Sequence, residues 1–280
     1  MGWLRELFER PPLLHVAIDE GEGPIVVLLH GIASSSVTFE NLVPLLTPTR
    51  RVIAIDLLGF GASPAPADSE FTVEDHVAAL RRTLRSTVGR EPFMLVGHSM
   101  GSLIATRYAA QYPNRLERLV LVSPPIYLPP QSIGTPWDRA AVGLYLRAYE
   151  YLRDHKEFTM RSAARLAAIS PIKNVLEVSE RNWRAFSLSL KNAIESQTMV
   201  SDLAAVRAPI ELVYGTLDPF LATSGIRLAE QLRSVTVHRV DGNDHLVRPR
   251  LARVVATAVL ARPRRATHDS AMPAGASSAG

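Results

Sequence analysis

Three side chains in this sequence are able to act as reagents, and each follows an apolar run. Ser99 lies at the centre of GHSMG, Asp218 in GTLDPF and His245 in DGNDH. A serine hydroxyl is a weak nucleophile at neutral pH until a base takes its proton, and neutral imidazole titrates in the right range to do so. A carboxylate beside that imidazole fixes its tautomer and stabilises the imidazolium that forms. The chemistry open to such a set is acyl transfer through a covalent intermediate. Four carboxylates compete for the supporting role: Asp218, Asp241 and Asp244 beside His245, and Asp202.

These reagents need elements to hold them. Phe93 to Val96 is an apolar run closed by Gly97, read as a buried strand, and Ser102 to Gln111 reads as a helix. Reversing the chain from strand to helix across GHSMG forces Ser99 into a strained backbone conformation and crowds the positions two before and two after it. Gly97 and Gly101 relieve that crowding. The Ser99 hydroxyl is then exposed at the carboxyl edge of a sheet, facing the Met100 amide and the positive end of the new helix. A second amide is expected from HGIASSSVTF, His30 to Phe39, with Ile32 as the donor. His30 either makes a tight turn with Gly31, bonded to backbone as a structural imidazole, or borders the substrate. His98, next to the nucleophile, reads as a wall residue.

The remaining chain alternates strands and helices. Strands are expected over Leu13 to Ile18, Ile25 to Leu29, Arg51 to Asp56, Leu116 to Ser123, Ile210 to Tyr214 and Ser234 to Val240, with Asp19 to Pro24 as a turn. Helices are expected over Trp3 to Phe8, Phe39 to Leu46, Leu228 to Leu232 and Leu251 to Ala261. Another, from Thr72 to Val88, would be capped by Thr72 and Asp75, with His76 on its surface. GFG after Asp56 lacks the full dinucleotide fingerprint and leads into Ser-Pro-Ala-Pro, which excludes a phosphate cradle; Asp56 orders that loop instead. From Pro124 to about Thr198 the pattern is helical only, punctuated by Pro129-Pro130, Gly134, Pro136 and Pro171, with stripes carrying Trp137, Tyr145, Phe158, Trp183 and Phe186. This is read as an inserted helical subdomain.

Composition narrows the class. The 280 residues, 47% hydrophobic and 21% charged, suit one large α/β domain, and no apolar run reaches the length of a membrane span. The N-terminus, MGWLRELFERPP, has no uninterrupted apolar core of a secretory signal, so a cytoplasmic location is expected. With no cysteine there is no disulfide, thiolate catalysis or cysteine metal site. The net charge of +4 rests partly on Arg81, Arg82, Arg85, Arg262, Arg264 and Arg265, read as solvated surface and not as a nucleic-acid face. Residues 262–280, poor in large apolar side chains, are expected to be disordered.

The order Ser, Asp, His, the GHSMG elbow, HG after an early strand and a helical insertion after LVLVS together resemble the α/β-hydrolase superfamily, over about Leu13 to Leu260. The resemblance implies a mostly parallel twisted sheet flanked by helices, with core residues 13–125 and 199–261 and a helical cap over 126–198. It selects Asp218 as the acid, because Asp218 directly follows a buried strand in the family's position. Ser99 sets the chain apart from the haloalkane-dehalogenase and epoxide-hydrolase branches, which carry Asp there. The implied activity is hydrolysis of an ester or related acyl bond of a small, largely apolar substrate. No cofactor or metal is implied. His30, Ile32, Met100, Phe220 and Leu246 are expected to line the pocket. Two alternatives remain: a carbon–carbon bond hydrolase of dienoate ring-cleavage products, whose H-G-x-G-P-G loop differs from HGIASSS, and a triad-retaining small-molecule receptor. Promiscuous haloperoxidase or perhydrolase activity is a third.

Overall fold

The computed structural model describes residues 10–128, 136–173, 175–232 and 234–261. Seven strands form one sheet: β1 (Val16–Glu20), β2 (Ile25–Leu29), β3 (Arg51–Ile55), β4 (Phe93–His98), β5 (Leu116–Val122), β6 (Ile210–Gly215) and β7 (Val235–Val240). Their spatial order is β1-β3-β2-β4-β5-β6-β7, with β1 antiparallel to β3 and every other pairing parallel. Parallel strands need crossovers, and the crossovers cover both faces. The central strands therefore read as unbroken apolar runs, and β2 and β4 are buried throughout.

Alternate residues of each strand feed two cores. Val26, Leu28, Val52 and Val96 pack with Phe39, Leu42 and the Leu251, Val255, Val259 stripe of the last helix. Val27, Leu29, Leu95 and Leu121 pack against Leu80, Leu84, Leu103 and Ile104 on the other face. The helices are α1 (Val43–Leu46), α2 (Val73–Thr87), α3 (Met100–Gln111), α4 (Pro136–Asp154), α5 (Lys156–Ile169), α6 (Trp183–Ser189), α7 (Met199–Ala205), α8 (Thr223–Glu230) and α9 (Pro249–Leu260). A π-helical turn, Leu190–Glu195, continues α6. Helix α2 opens on the expected capping box, with the Asp75 N–H donating to Thr72 Oγ1 and the Thr72 N–H to Asp75 Oδ2. No helix among the described residues is long and apolar enough to cross a membrane.

Several expectations shift. The first strand starts at Val16, so Asp19 and Glu20 belong to it, and the turn is made by Gly21 and Gly23 at positive φ. In place of one helix from Phe39 to Leu46 there is a 3-10 turn at Ser36–Phe39, then the short α1. His76 is not a surface residue. It is fully buried, 3.3 Å from Ser189 Oγ of α6, and burial pushes its imidazole down to about 4. The expected Trp3 to Phe8 helix, Pro129-Pro130, Gly134, the side chain of Trp137 and the expected disordered tail lie outside the described residues.

Candidate active site

The parallel strands all point their carboxyl ends to one edge, where open α/β sheets bind ligands. Four loops meet there. The loop after β4 carries Ser99, whose φ of 52° and ψ of −123° place it in the strained positive-φ region that the sharp reversal requires. The two flanking glycines permit the turn: a Cβ on Gly97 would lie 2.4 Å from the Gly101 carbonyl oxygen, and one on Gly101 2.3 Å from that of Leu29. Ala33 and Ser123, after β2 and β5, also have positive φ, so strain concentrates along this edge.

Asp218 and His245 arrive from the loops after β6 and β7 and form a pair. The Nδ1–H of His245 donates to Asp218 Oδ2 at 2.8 Å, while the Phe220 N–H donates to Asp218 Oδ1 at 2.9 Å. Burial alone would raise the Asp218 carboxyl; the His245 hydrogen bond and charge and the Phe220 amide outweigh it and hold it below the ordinary carboxylate value. The Ser123 hydroxyl also favours the carboxylate, though it meets no hydrogen-bond geometry. The competing carboxylates are engaged elsewhere: Asp202 with Arg107, Asp241 with Arg239, Asp244 with Arg248.

His98 joins the strand that leads to Ser99 to the loop that carries His245. Its Nε2–H donates to the His245 carbonyl at 2.9 Å, and the two rings lie 4.9 Å apart. Burial, then the neighbouring His245, pushes His98 down to about 3, so it stays neutral and puts no positive charge beside His245. The Ser99 hydroxyl itself takes no hydrogen-bond partner among the described residues. Catalytic hydrogen bonds of this kind often tighten only once substrate is bound.

Of the two expected oxyanion donors, Met100 N–H opens α3, where the first amides have no helical partner. Ile32 N–H takes no partner among the described residues. The Ala33 carbonyl beside it accepts from the Glu177 N–H at 2.7 Å, so the segment between α5 and α6 is tied to this loop. Asn182 shapes that segment, accepting from Ser179 N–H and donating to the Glu177 carbonyl. Nothing in the local sequence of HGIASSS announces a partner so far along the chain.

Two pocket expectations are corrected. His30 is fully buried: its Nδ1–H donates to the Gly31 carbonyl, and its Nε2 accepts from Leu57 N–H. Both nitrogens brace backbone, burial pushes it down to about 4, and it presents nothing to a substrate. The Met100 side chain is likewise fully buried, so only its amide serves the edge. The ring of Phe220, 40% exposed, lies edge-on to that of His245 at 4.9 Å. Ile32 and Leu246 are partly exposed.

Residues 24–167 match the family profile of the alpha/beta hydrolase fold. The chain belongs to that family. Among relatives of this alpha/beta hydrolase, the 2-(acetamidomethylene)succinate hydrolase of Mesorhizobium japonicum is 27% identical over 82% of this chain and 84% of its own. The probable lysophospholipase BODYGUARD 4 of Arabidopsis thaliana is 39% identical over 41% of this chain, a match that spans only 28% of the plant protein. The bromoperoxidase of Bacillus anthracis superposes with a TM-score of 0.62 at 25% identity, over 87% of this chain and 92% of that one. The enol-lactonase of Burkholderia xenovorans gives 0.63 at 21% identity, over 88% and 94%, a likeness of fold alone.

Proposed function

We propose that this chain is a serine hydrolase that cleaves an ester or related acyl bond of a small, largely apolar substrate through Ser99, His245 and Asp218. The observation that carries the reading is the 2.8 Å His245–Asp218 pair set beside a strained serine elbow on one sheet edge. The Nδ1–H of His245 is committed to the carboxylate, which leaves Nε2 with a lone pair as the base. Ser99 Oγ attacks the acyl carbon as Nε2 takes its proton, and the Ile32 and Met100 amides bind the oxyanion. The imidazolium returns that proton to the leaving group. Water then attacks the acyl-enzyme by the same route, releasing the acid and restoring Ser99. The lysophospholipase name of one relative, matched over 41% of this chain, favours an acyl bond over the carbon–carbon alternative.

Labelling with a fluorophosphonate, followed by turnover of p-nitrophenyl esters of graded chain length, tests the reading. Labelling at Ser99 with turnover of at least one ester is expected. An unlabelled Ser99 would point to a binding protein.

Gly31 gives a second test. A Cβ there would lie 2.9 Å from Ser99 Cβ and 3.3 Å from both Ser99 Oγ and His98 Nδ1, and Ser99 Cβ can give way only with its own backbone. Gly31→Ala should therefore displace Ser99 and lose about tenfold or more in kcat, as a displacement of about 1 Å at a nucleophile can cost even more. Wild-type turnover in Gly31→Ala would remove this loop from the site.

Residues 126–198 we read as a cap that binds the acyl chain, since α4 to α6 leave and re-enter the fold on the side of Ser99. Replacing the cap with a short Gly/Ser loop should lower kcat for every ester, since the Ala33 carbonyl loses the Glu177 N–H, and should in addition raise KM for medium-chain esters more than for acetate, because the contacts that set KM touch the chain and not the carbonyl. Equal changes in KM for both, in a folded variant, would mean that the insertion does not recognise substrate.

A further inference from the structure

Behind the acid lies a buried pair of phenols that the mechanism above does not use. Tyr127 follows β5, and Tyr149 sits in α4 of the insertion; their hydroxyls lie 2.7 Å apart. Tyr127 Oη is also 3.2 Å from the Phe220 carbonyl oxygen. A carbonyl can only accept, so the single Tyr127 proton goes to Phe220, and Tyr149 must donate to Tyr127. Phe220 in turn gives its N–H to Asp218 Oδ1, leaving Oδ2 for His245. The directions of all four bonds are thus fixed: Tyr149 to Tyr127, Tyr127 to the Phe220 carbonyl, Phe220 amide to Asp218, and His245 to Asp218.

We propose that Tyr127 and Tyr149 are positioning residues for the acid, holding the Phe220 backbone so that its carbonyl is tied to the insertion while its N–H is tied to the Asp218 carboxylate. The Phe220 side chain is 40% exposed, so the hydrogen bonds on either side of its Cα do much to hold this residue in place. Both phenols are at least 92% buried, with Tyr127 7% and Tyr149 8% exposed, so neither can replace a lost partner with solvent at no cost. Burial raises both hydroxyls, Tyr149 to about 12, and they remain protonated donors across the working range. Tyr145 stacks on Tyr127 at 5.7 Å and fixes its ring plane. A hydrogen-bonded line therefore runs from a helix of the insertion to the carboxylate that orients the base.

This inference rests on the serine-hydrolase reading, and its test separates the two. The rate of fluorophosphonate labelling is measured from acid to alkaline pH for the wild type, Tyr127→Phe, Tyr149→Phe and the control Tyr151→Phe, two residues on from Tyr149 but exposed and stacked on His155. A wild type that does not label overturns the hydrolase reading. Given labelling, Tyr127→Phe should react about tenfold more slowly, since a buried carbonyl and a buried hydroxyl each lose a partner. Its acidic midpoint should move to lower pH, because a loosened Asp218 stabilises the imidazolium less. Tyr149→Phe keeps the Tyr127 to Phe220 bond and should show a smaller change in the same direction, and Tyr151→Phe none. Folding of each variant is read by near-ultraviolet circular dichroism. Wild-type rate and midpoint in folded Tyr127→Phe overturn the proposal; if that variant does not fold, the same result in Tyr149→Phe does so.

Discussion

Ser99→Ala is expected to abolish ester turnover, with kcat falling by about 10⁵ to 10⁶, while the protein stays folded. The loss is near-total because the hydroxyl is the bond-forming group, and an unassisted attack by water does not pass through the acyl-enzyme. Stability should change by no more than about 0.5 kcal/mol: the hydroxyl has no hydrogen-bond partner among the described residues to lose, and alanine inherits the same positive φ with a smaller side chain. Turnover of a p-nitrophenyl ester and a thermal melt of the same preparation check both parts. More than about 1% of wild-type activity in pure Ser99→Ala would remove Ser99 from the nucleophile's role.

Asp218→Asn should lower kcat by about 10³ to 10⁴. The amide can turn its NH₂ toward His245, which then protonates on Nε2 and can no longer accept from Ser99. There is a companion effect on stability. The folded Asp218 carboxyl titrates below its ordinary value, so it contributes stability that is fully present above the unfolded carboxylate pKa. That contribution is lost as pH falls through the lower, folded pKa. Asp218→Asn should therefore weaken the acid-side dependence of the denaturation midpoint, measured from pH 7 down to pH 3. If Asp244→Asn instead crippled turnover and Asp218→Asn were harmless, the acid would be misassigned.

Much of this architecture is legible in the sequence because the strands are short apolar runs buried on both faces, and their order delivers Ser99, Asp218 and His245 to one edge. The elbow could be read locally: its glycines are required by contacts within ten residues of it or with the adjoining strand. What escaped local reading depends on distant partners. His76 occupies a plausible surface position of α2 until Ser189, 113 residues on, covers it. His30 looks available until Leu57, at the end of the neighbouring strand, takes its second nitrogen. The Met100 side chain follows the helix inward even as its amide faces out. Periodicity carries no information about which remote element will meet a given ring, and the tyrosine pair behind Asp218 is silent in sequence for the same reason.

The hydrogen bond from Glu177 N–H to the Ala33 carbonyl bears on protein engineering. It ties a peptide of the insertion to the carbonyl of Ala33, the residue after the expected Ile32 donor and one already held at positive φ. A cap grafted from another hydrolase must therefore supply more than an apolar surface for its new substrate. It must also present a backbone donor at the place of Glu177, shaped as Asn182 shapes it here. Chimaeras joined on either side of residues 177–182 with that turn retained should keep their turnover number, and those that replace it should lose turnover even for acetate esters.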